Sequence, residues 1–463
     1  MASLTSLLGL ARDGMVAQQG AINVTGDNVT NATTPGYVRR SAVLESQSTA
    51  MGQPGGVYFA GIARSFDQFA EQRVLDESGK QGAANARSQA LTQTESLVAP
   101  TGADTIATKV NAMMDAFNEL VGYPGELTVR QDVVAKAADL AATIAATAKG
   151  VTSQRADLVQ QAQGVADEVN QRLAQIGTLN GQIAQAQAAG DPAAGLRDQR
   201  DVVVSQVADR LGARGITGSD GNYVLFGGGT ALVDGTTVSK LSVDLDTSGA
   251  LRIQVVRPGG SQTDVTTNVV SGSLGGIREA RDQDLPQVSQ QLDQYAYDLS
   301  NAVNAAHTAG YGLDGVSGRP LFVTPTAVAG AAASMAVDPG VAADPSKVAA
   351  SSTATDVPGG NQNALALLHV GQNPIGASGT PAEGIAALTS SVGVRKSAAD
   401  GEVQLRQSTV AQVKALRDSA SGVSIDEEMV DLTRFQRAFQ ASVQVMQTAD
   451  QLMQSLLQMV QTG

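Results

Sequence analysis

Two stretches at opposite ends of the 463 residues carry the same alternating four-three spacing of apolar side chains, and that limits what the chain can become. One runs from Ile425 through Met429, Leu432, Gln436, Phe439, Val443, Met446, Asp450, Met453, Leu457 and Val460, with nine of eleven positions apolar. This is the seam of a helix that packs lengthwise on other helices. Ser424, with Glu427 three residues on, reads as a capping box, and Asp426, Glu427 and Glu428 suit the positive end of a helix dipole. At the other end Leu4, Leu8, Ala11, Met15, Gln18 and Ile22 keep the same rhythm, widened by Leu7. Neither seam has a partner close in sequence, so the ends are expected to pair with each other and with copies of themselves. Glycines at 9, 14 and 20 weaken the first helix. The apolar burial of two helices alone does not exceed the entropy lost in ordering them. The ends are therefore expected to be loose in the monomer and to fold on assembly.

Between these ends the pattern changes three times. Residues 25–37 are dense in Asn, Thr, Pro and Gly, which predicts turns, with Pro35-Gly36 a type II corner. Three Asn-x-Thr triplets begin at Asn23, Asn28 and Asn31, and local side-chain bonds to the backbone are the expected use. Residues 37–46 alternate as a strand, 52–61 read as a glycine-rich loop, and 64–98 and 104–120 read as helices. From 126 to 188 there is no proline, and Leu140, Ile144, Val151, Leu158, Val165, Val169, Ile176, Leu179 and Ile183 keep a heptad-like register. That predicts one helix about 95 Å long at roughly 1.5 Å per residue, with Gly150 and Gly164 as possible bends. A helix at 196–211 follows, and then 216–270 turns rich in Gly, Thr and Val, a small β domain. Helix returns at 277–307. Residues 309–379 read as loops with a short strand near 333–337 and a helix at 363–368, and a helix at 382–418 leads into the terminal one.

Nothing here assembles into a catalytic site. Only His307 and His369 are present, on different segments, which gives no support to a His-based metal site or a Ser-His-Asp triad. The glycines at 227–229 and 272–276 lack the Lys-Ser or Lys-Thr of a phosphate loop and read as turns. Residues 197–201, Arg-Asp-Gln-Arg-Asp, start a helix, where close opposite charges read as surface ion pairs rather than an acid/base pair. Phe435, Phe439, Met446 and Met453 read as seam packing rather than a cofactor groove. A net charge of −13 without a basic cluster argues against nucleic acid, and no apolar run is long enough for membrane insertion. No cysteine is present, so disulfide and thiol chemistry are excluded. The start of the chain lacks the pattern of a cleaved secretory signal. No enzyme and no cofactor are expected.

Residues 25–37, Thr-Gly-Asp-Asn-Val-Thr-Asn-Ala-Thr-Thr-Pro-Gly-Tyr, resemble the signature near the start of bacterial flagellar rod, hook and hook-associated proteins. Asn28, Asn31, Thr34, Pro35, Gly36 and Tyr37 carry the match, with Val29 where that family often has Ile or Ser. Residues 421–430, with Glu427 and Glu428, resemble the matching C-terminal signature, as do 436–441 and 447–452. Within this family the interior is similar to the hook-associated protein 1 branch, in Arg130-Gln131, 176–183, 195–201, 272–277, 304–310 and 361–366. The resemblance implies a structural subunit exported without a cleaved signal, which joins hook to filament and assembles with copies of itself. Implied partners are hook protein, a second junction protein or flagellin, and an export chaperone. Against larger family members 309–379 is short, which implies that a second outer domain is missing.

The expected fold is mainly α with a small β domain, nested as a multi-domain axial protein. Residues 1–32 with 425–463 form a terminal helical domain, 33–211 with 271–424 a helical body, and 212–270 an outer β domain. A hook or distal rod subunit is the alternative within this class, and the long central helix argues against it. A surface adhesin with the β domain as glycan reader is the alternative from another class. A peptidoglycan hydrolase would need a carboxylate pair or metal site that is not evident.

Overall fold

The computed structural model describes residues 2–46, 55–102, 104–218 and 221–462, with side-chain surroundings from residue 4 to residue 459. Helix α1 (Ala2–Asn31) turns into a hairpin of β1 (Arg40–Ser46) and β2 (Val57–Arg64), followed by α2 (Gln68–Val98) and α3 (Ile106–Gly122). Next comes α4 (Leu127–Ala188), a single helix of 62 residues, and then α5 (Ala194–Leu211). All nine heptad-register positions of α4 named above are buried except Val165, which packs half-buried against the same core. The 62-residue apolar stripe is what keeps a helix of this length from being a free rod.

The β module contains two antiparallel sheets. One has the order β3 (Ala213–Thr217), β4 (Tyr223–Gly227), β5 (Thr230–Asp234), β6 (Thr237–Val238). The other has β7 (Lys240–Leu245), β8 (Leu251–Val256), β9 (Gln262–Asp264). Gly228 and Gly229 both have positive φ, +56° and +78°, and make the two-residue link between β4 and β5. Helix α6 (Gly272–Glu279) leads through a π-helical turn into α7 (Leu285–Ala309). Two short helices, α8 (Ala331–Ser334) and α9 (Pro339–Ala343), precede α10 (Gln362–Val370), α11 (Pro381–Ser421) and α12 (Ile425–Thr462). The body core is continuous from α2 through α4 and α7 to the inner faces of the β module.

The ends of the chain meet. Helices α1 and α12 lie side by side and antiparallel: Gly14 faces Ser442, whose Oγ is 3.2 Å from where a Cβ would stand, and Asn28 bonds Glu428. The expectation of loose ends counted these two helices alone. The β1–β2 hairpin adds a third layer, its Phe59 ring lying 2.7 Å from where a Cβ on Gly20 would stand. Glycines that weaken an isolated helix here allow close approach on two sides.

Several expectations change. Residues 25–31 are helix rather than turn, because Val24, Thr25 and Asn28 are buried. Asn31 and Thr30 bond the carbonyls of Asp27 and Gly26, whereas Asn28 reaches across the fold. The loop expected at 52–61 is strand from Val57, while 52–54 lie outside the described residues. Instead of a strand at 333–337 there is the end of α8 and an isolated bridge from Val337 to Phe322. Glycines 272–276 open α6 rather than a turn, since a side chain at Gly276 would collide with the Ala83 carbonyl of α2.

Candidate functional site

The two terminal signatures converge on one polar joint between α1, α12 and the hairpin. Asn28 is 1% exposed and uses its whole amide. Its Nδ2 donates to the Arg40 carbonyl at 2.7 Å and to Glu428 Oε2 at 2.9 Å. Its Oδ1 accepts from the Arg40 N–H at 3.0 Å and from the Tyr37 hydroxyl at 2.9 Å. Burial of Tyr37 pushes its phenol above the usual range, so it stays a neutral donor. The other Glu428 oxygen accepts from Arg39 Nε at 2.6 Å, and Arg39 also lies 3.4 Å from Glu427 and 3.7 Å from Asp431.

The rest of the N-terminal signature builds the turn that delivers Tyr37 and the two arginines. Tyr37 N–H donates to the Thr34 carbonyl at 3.2 Å, and Gly36 sits at φ +81°, which completes the type II corner over Pro35. Asn31 and Thr34 bond each other side chain to side chain at 3.2 Å. The capping box expected at Ser424 is half formed: Glu427 N–H reaches Ser424 Oγ at 3.5 Å, while the Glu427 carboxylate turns to Arg39.

From this joint a chain of charges continues inward. Arg40 stacks over the Tyr37 ring and pairs with Asp198 at 3.0 Å; Arg64, its neighbour across the hairpin, pairs with Asp198 at 2.6 Å and Asp201 at 2.9 Å. Arg200 lies 3.8 Å over the Tyr223 ring of β4 and bonds Asn180 of α4. So residues 197–201 are not a surface ion-pair run. Asp198 and Arg200 are buried, because the hairpin brings two arginines onto the start of α5. Burial pushes the Asp198 carboxyl up despite Arg64 and Arg40, so its charge depends on both partners. These residues can orient and clamp. They cannot do acid/base work, since each carboxylate is committed to a guanidinium. Among the described residues no group of acids and histidines could hold a metal ion, and no helix is long and apolar enough to cross a membrane.

The expected assembly residues divide between two faces. Ala11 is buried, and Leu4, Leu7, Leu8, Met15 and Ile22 are half-buried on α1. On α12 Leu432, Phe439, Val443, Met446 and Met453 are half-buried, but Ile425, Met429 and Leu457 are exposed; the Val460 side chain lies outside the described residues. The inner line of α12 runs through Glu428, Phe435, Phe439, Ser442, Met446 and Ala449, one residue off the expected seam at 429, 436 and 450. Sequence reasoning missed Arg39, Arg40, Arg64 and Tyr223. The adjacent Arg39-Arg40 after the turn, set against the acidic 426–428, was the available signal.

A family model described as the flagellar hook-associated protein FlgK helical domain matches residues 91–322. A second, the flagellar basal body rod FlgEFG protein C-terminal model, matches 417–459. Flagellar hook-associated protein 1 of Escherichia coli (strain K12) is 23% identical, covering 98% of this chain and 100% of its own length. The protein of that name from Salmonella typhimurium is 25% identical over 98% and 100%, and that from Bacillus subtilis 25% over 96% of each. A solved structure of the flagellar hook junction protein FlgK from Burkholderia pseudomallei matches 54% of this chain and 46% of its own, at 25% identity and a TM-score of 0.49.

Proposed function

Since this chain belongs to the flagellar hook-associated protein FlgK family and is a structural protein of the hook–filament junction, we propose that it assembles there through the outer faces of its paired end helices. The observation that carries this is the second apolar set on α12. Val430, Val445 and Leu452 are exposed on a side of α12 turned away from α1, with Ile425 and Met429 exposed on a flank, while the inner line of the same helix packs on α1. A helix apolar on both faces has one face for its own chain and another for a neighbour.

In this reading residues 1–32 and 425–463 form an inner tube. Residues 33–211 and 271–424 form the layer around it, and 212–270 face outward. The Asn28–Glu428–Arg39 joint sets the angle between tube and body. Partners are copies of this chain, hook protein on one side, and a second junction protein or flagellin on the other. An export chaperone would hold the apolar ends before assembly, and export proceeds without a cleaved signal. The part is mechanical, with no catalysis and no cofactor.

The test is electron microscopy of cells lacking this protein, with flagellin assayed in the medium. Complete bare hooks with flagellin lost to the medium are expected, and normal filaments would overturn the reading. Leu432→Asp, placing a charge in the α1–α12 seam, is expected to give the same bare hooks while the β module stays folded. Wild-type incorporation of that variant would refute the role of the paired ends.

A further inference from the structure

Helix α11 shows its outside to solvent along most of its length, and one outward line along it carries no charge, the exposed Lys414 and Asp418 standing to the side of that line. The outward four-three positions from 387 to 419 hold only Ala, Gly, Ser, Val, Leu and Gln. On this face Val394, Leu405 and Leu416 are 66%, 54% and 53% exposed. They are spaced by eleven residues, which is three helical turns, so they stand almost on one line along the axis.

A helix face destined for water is ordinarily charged. Helix α4 of the same molecule follows the rule, with Asp139, Lys149, Asp157 and Asp167 exposed. On α11 three arginines, also spaced by eleven residues, are turned toward the body instead. Arg395 reaches Asp284 at 3.3 Å, Arg406 reaches Glu77 at 3.2 Å and Arg417 reaches Glu71 at 3.4 Å. These pairs fix the rotation of α11 about its own axis, and so hold the uncharged line outward.

We propose that this face is a contact between copies: the Val394–Leu405–Leu416 line packs against a second copy of this chain in the assembled junction. Its extent argues for that occupant. Residues 387–419 span about 50 Å, and a band about 10 Å wide gives roughly 500 Å² per copy, near 1,000 Å² in all. Specific soluble complexes bury about 1,200–2,000 Å². The face is thus too small to hold a soluble partner alone, yet sufficient where a second contact of the same pair acts with it. Leu416 stands nine residues before Ile425, where the exposed apolar set of α12 begins, so the two sets are consecutive along the chain. The inference rests on the assembly reading above and adds the body helix that carries the lateral contact.

The chain has no cysteine, which makes the test clean. Leu405→Cys, carrying a maleimide-linked benzophenone, is exported and assembled in cells, and isolated hooks are irradiated and cross-linked peptides identified by mass spectrometry. The expected result is cross-links to peptides of this same chain, at least tenfold above a probe on α4 at Asp157→Cys. Val394→Cys repeats the measurement should the first variant fail to assemble. Cross-links to a different protein overturn the proposal, as does a yield no higher than the α4 control in hooks that contain the protein. Absence of unmodified wild-type protein from the hook preparation would instead overturn the assembly reading itself.

Discussion

Glu428 has to be a carboxylate, and the geometry says why. Asn28 cannot flip its amide, because its Oδ1 is bound by the Arg40 N–H and the Tyr37 hydroxyl while its Nδ2 holds the Arg40 carbonyl. Glu428, 2% exposed, must therefore accept on both oxygens, from Asn28 Nδ2 at 2.9 Å and Arg39 Nε at 2.6 Å. Glutamine at 428 has the same shape but one acceptor oxygen. It faces either Asn28 or Arg39 donor to donor, and the Arg39 bond loses its charge assistance. One unmade buried bond at about 1–3 kcal/mol, plus the weakening of a charged one, gives a loss of about 2–3 kcal/mol. Because the bond ties α12 to α1 and the hairpin, the loss is expected in the docking of α12 rather than in the body. Native-state hydrogen exchange of the full chain reads this directly. Amides at 425–446 in Glu428→Gln should exchange at least thirtyfold faster, about 2 kcal/mol, with α4 amides unchanged. A change below threefold in α12, or an equal change in α4, would refute the clamp.

Two further outcomes follow from the same structure. Gly36→Ala must hold φ near +81° and drive a methyl into Val202, so a loss of at least about 1–2 kcal/mol is expected by denaturant melting, partly restored by Val202→Ala. His307 is fully buried, its Nδ1 bonded to the Arg319 carbonyl at 2.7 Å and its Nε2 accepting from the Ala349 N–H at 3.0 Å. Burial holds its pKa down to about 4 from 6.5. A proton therefore binds the unfolded chain first: the stability is complete above about pH 6.5 and falls as pH drops toward 4, by about 3 kcal/mol. A His307→Gln variant should flatten that part of the pH–stability curve, and an unchanged slope would show that other groups set it.

The sequence alone determined the elements that depend on local spacing. The long helix α4, the β block, the Pro35-Gly36 corner and the paired ends were legible because a period of 3.6, an alternation of 2 or a turn dipeptide is a property of neighbouring residues. The seam of α12 shows where that stops. A stripe containing Ile425, Met429, Phe435, Phe439 and Met446 is wide enough to have two flanks, and periodicity does not say which flank meets α1. The choice came from Asn28 and Gly14 on the opposite helix, 400 or more residues away along the chain. Residues 197–201 were misjudged for the same reason: whether Asp198 is solvated or buried depends on arginines that a hairpin brings from 40 and 64. Burial of charge is a tertiary decision, since its cost is offset only by partners that distant segments supply.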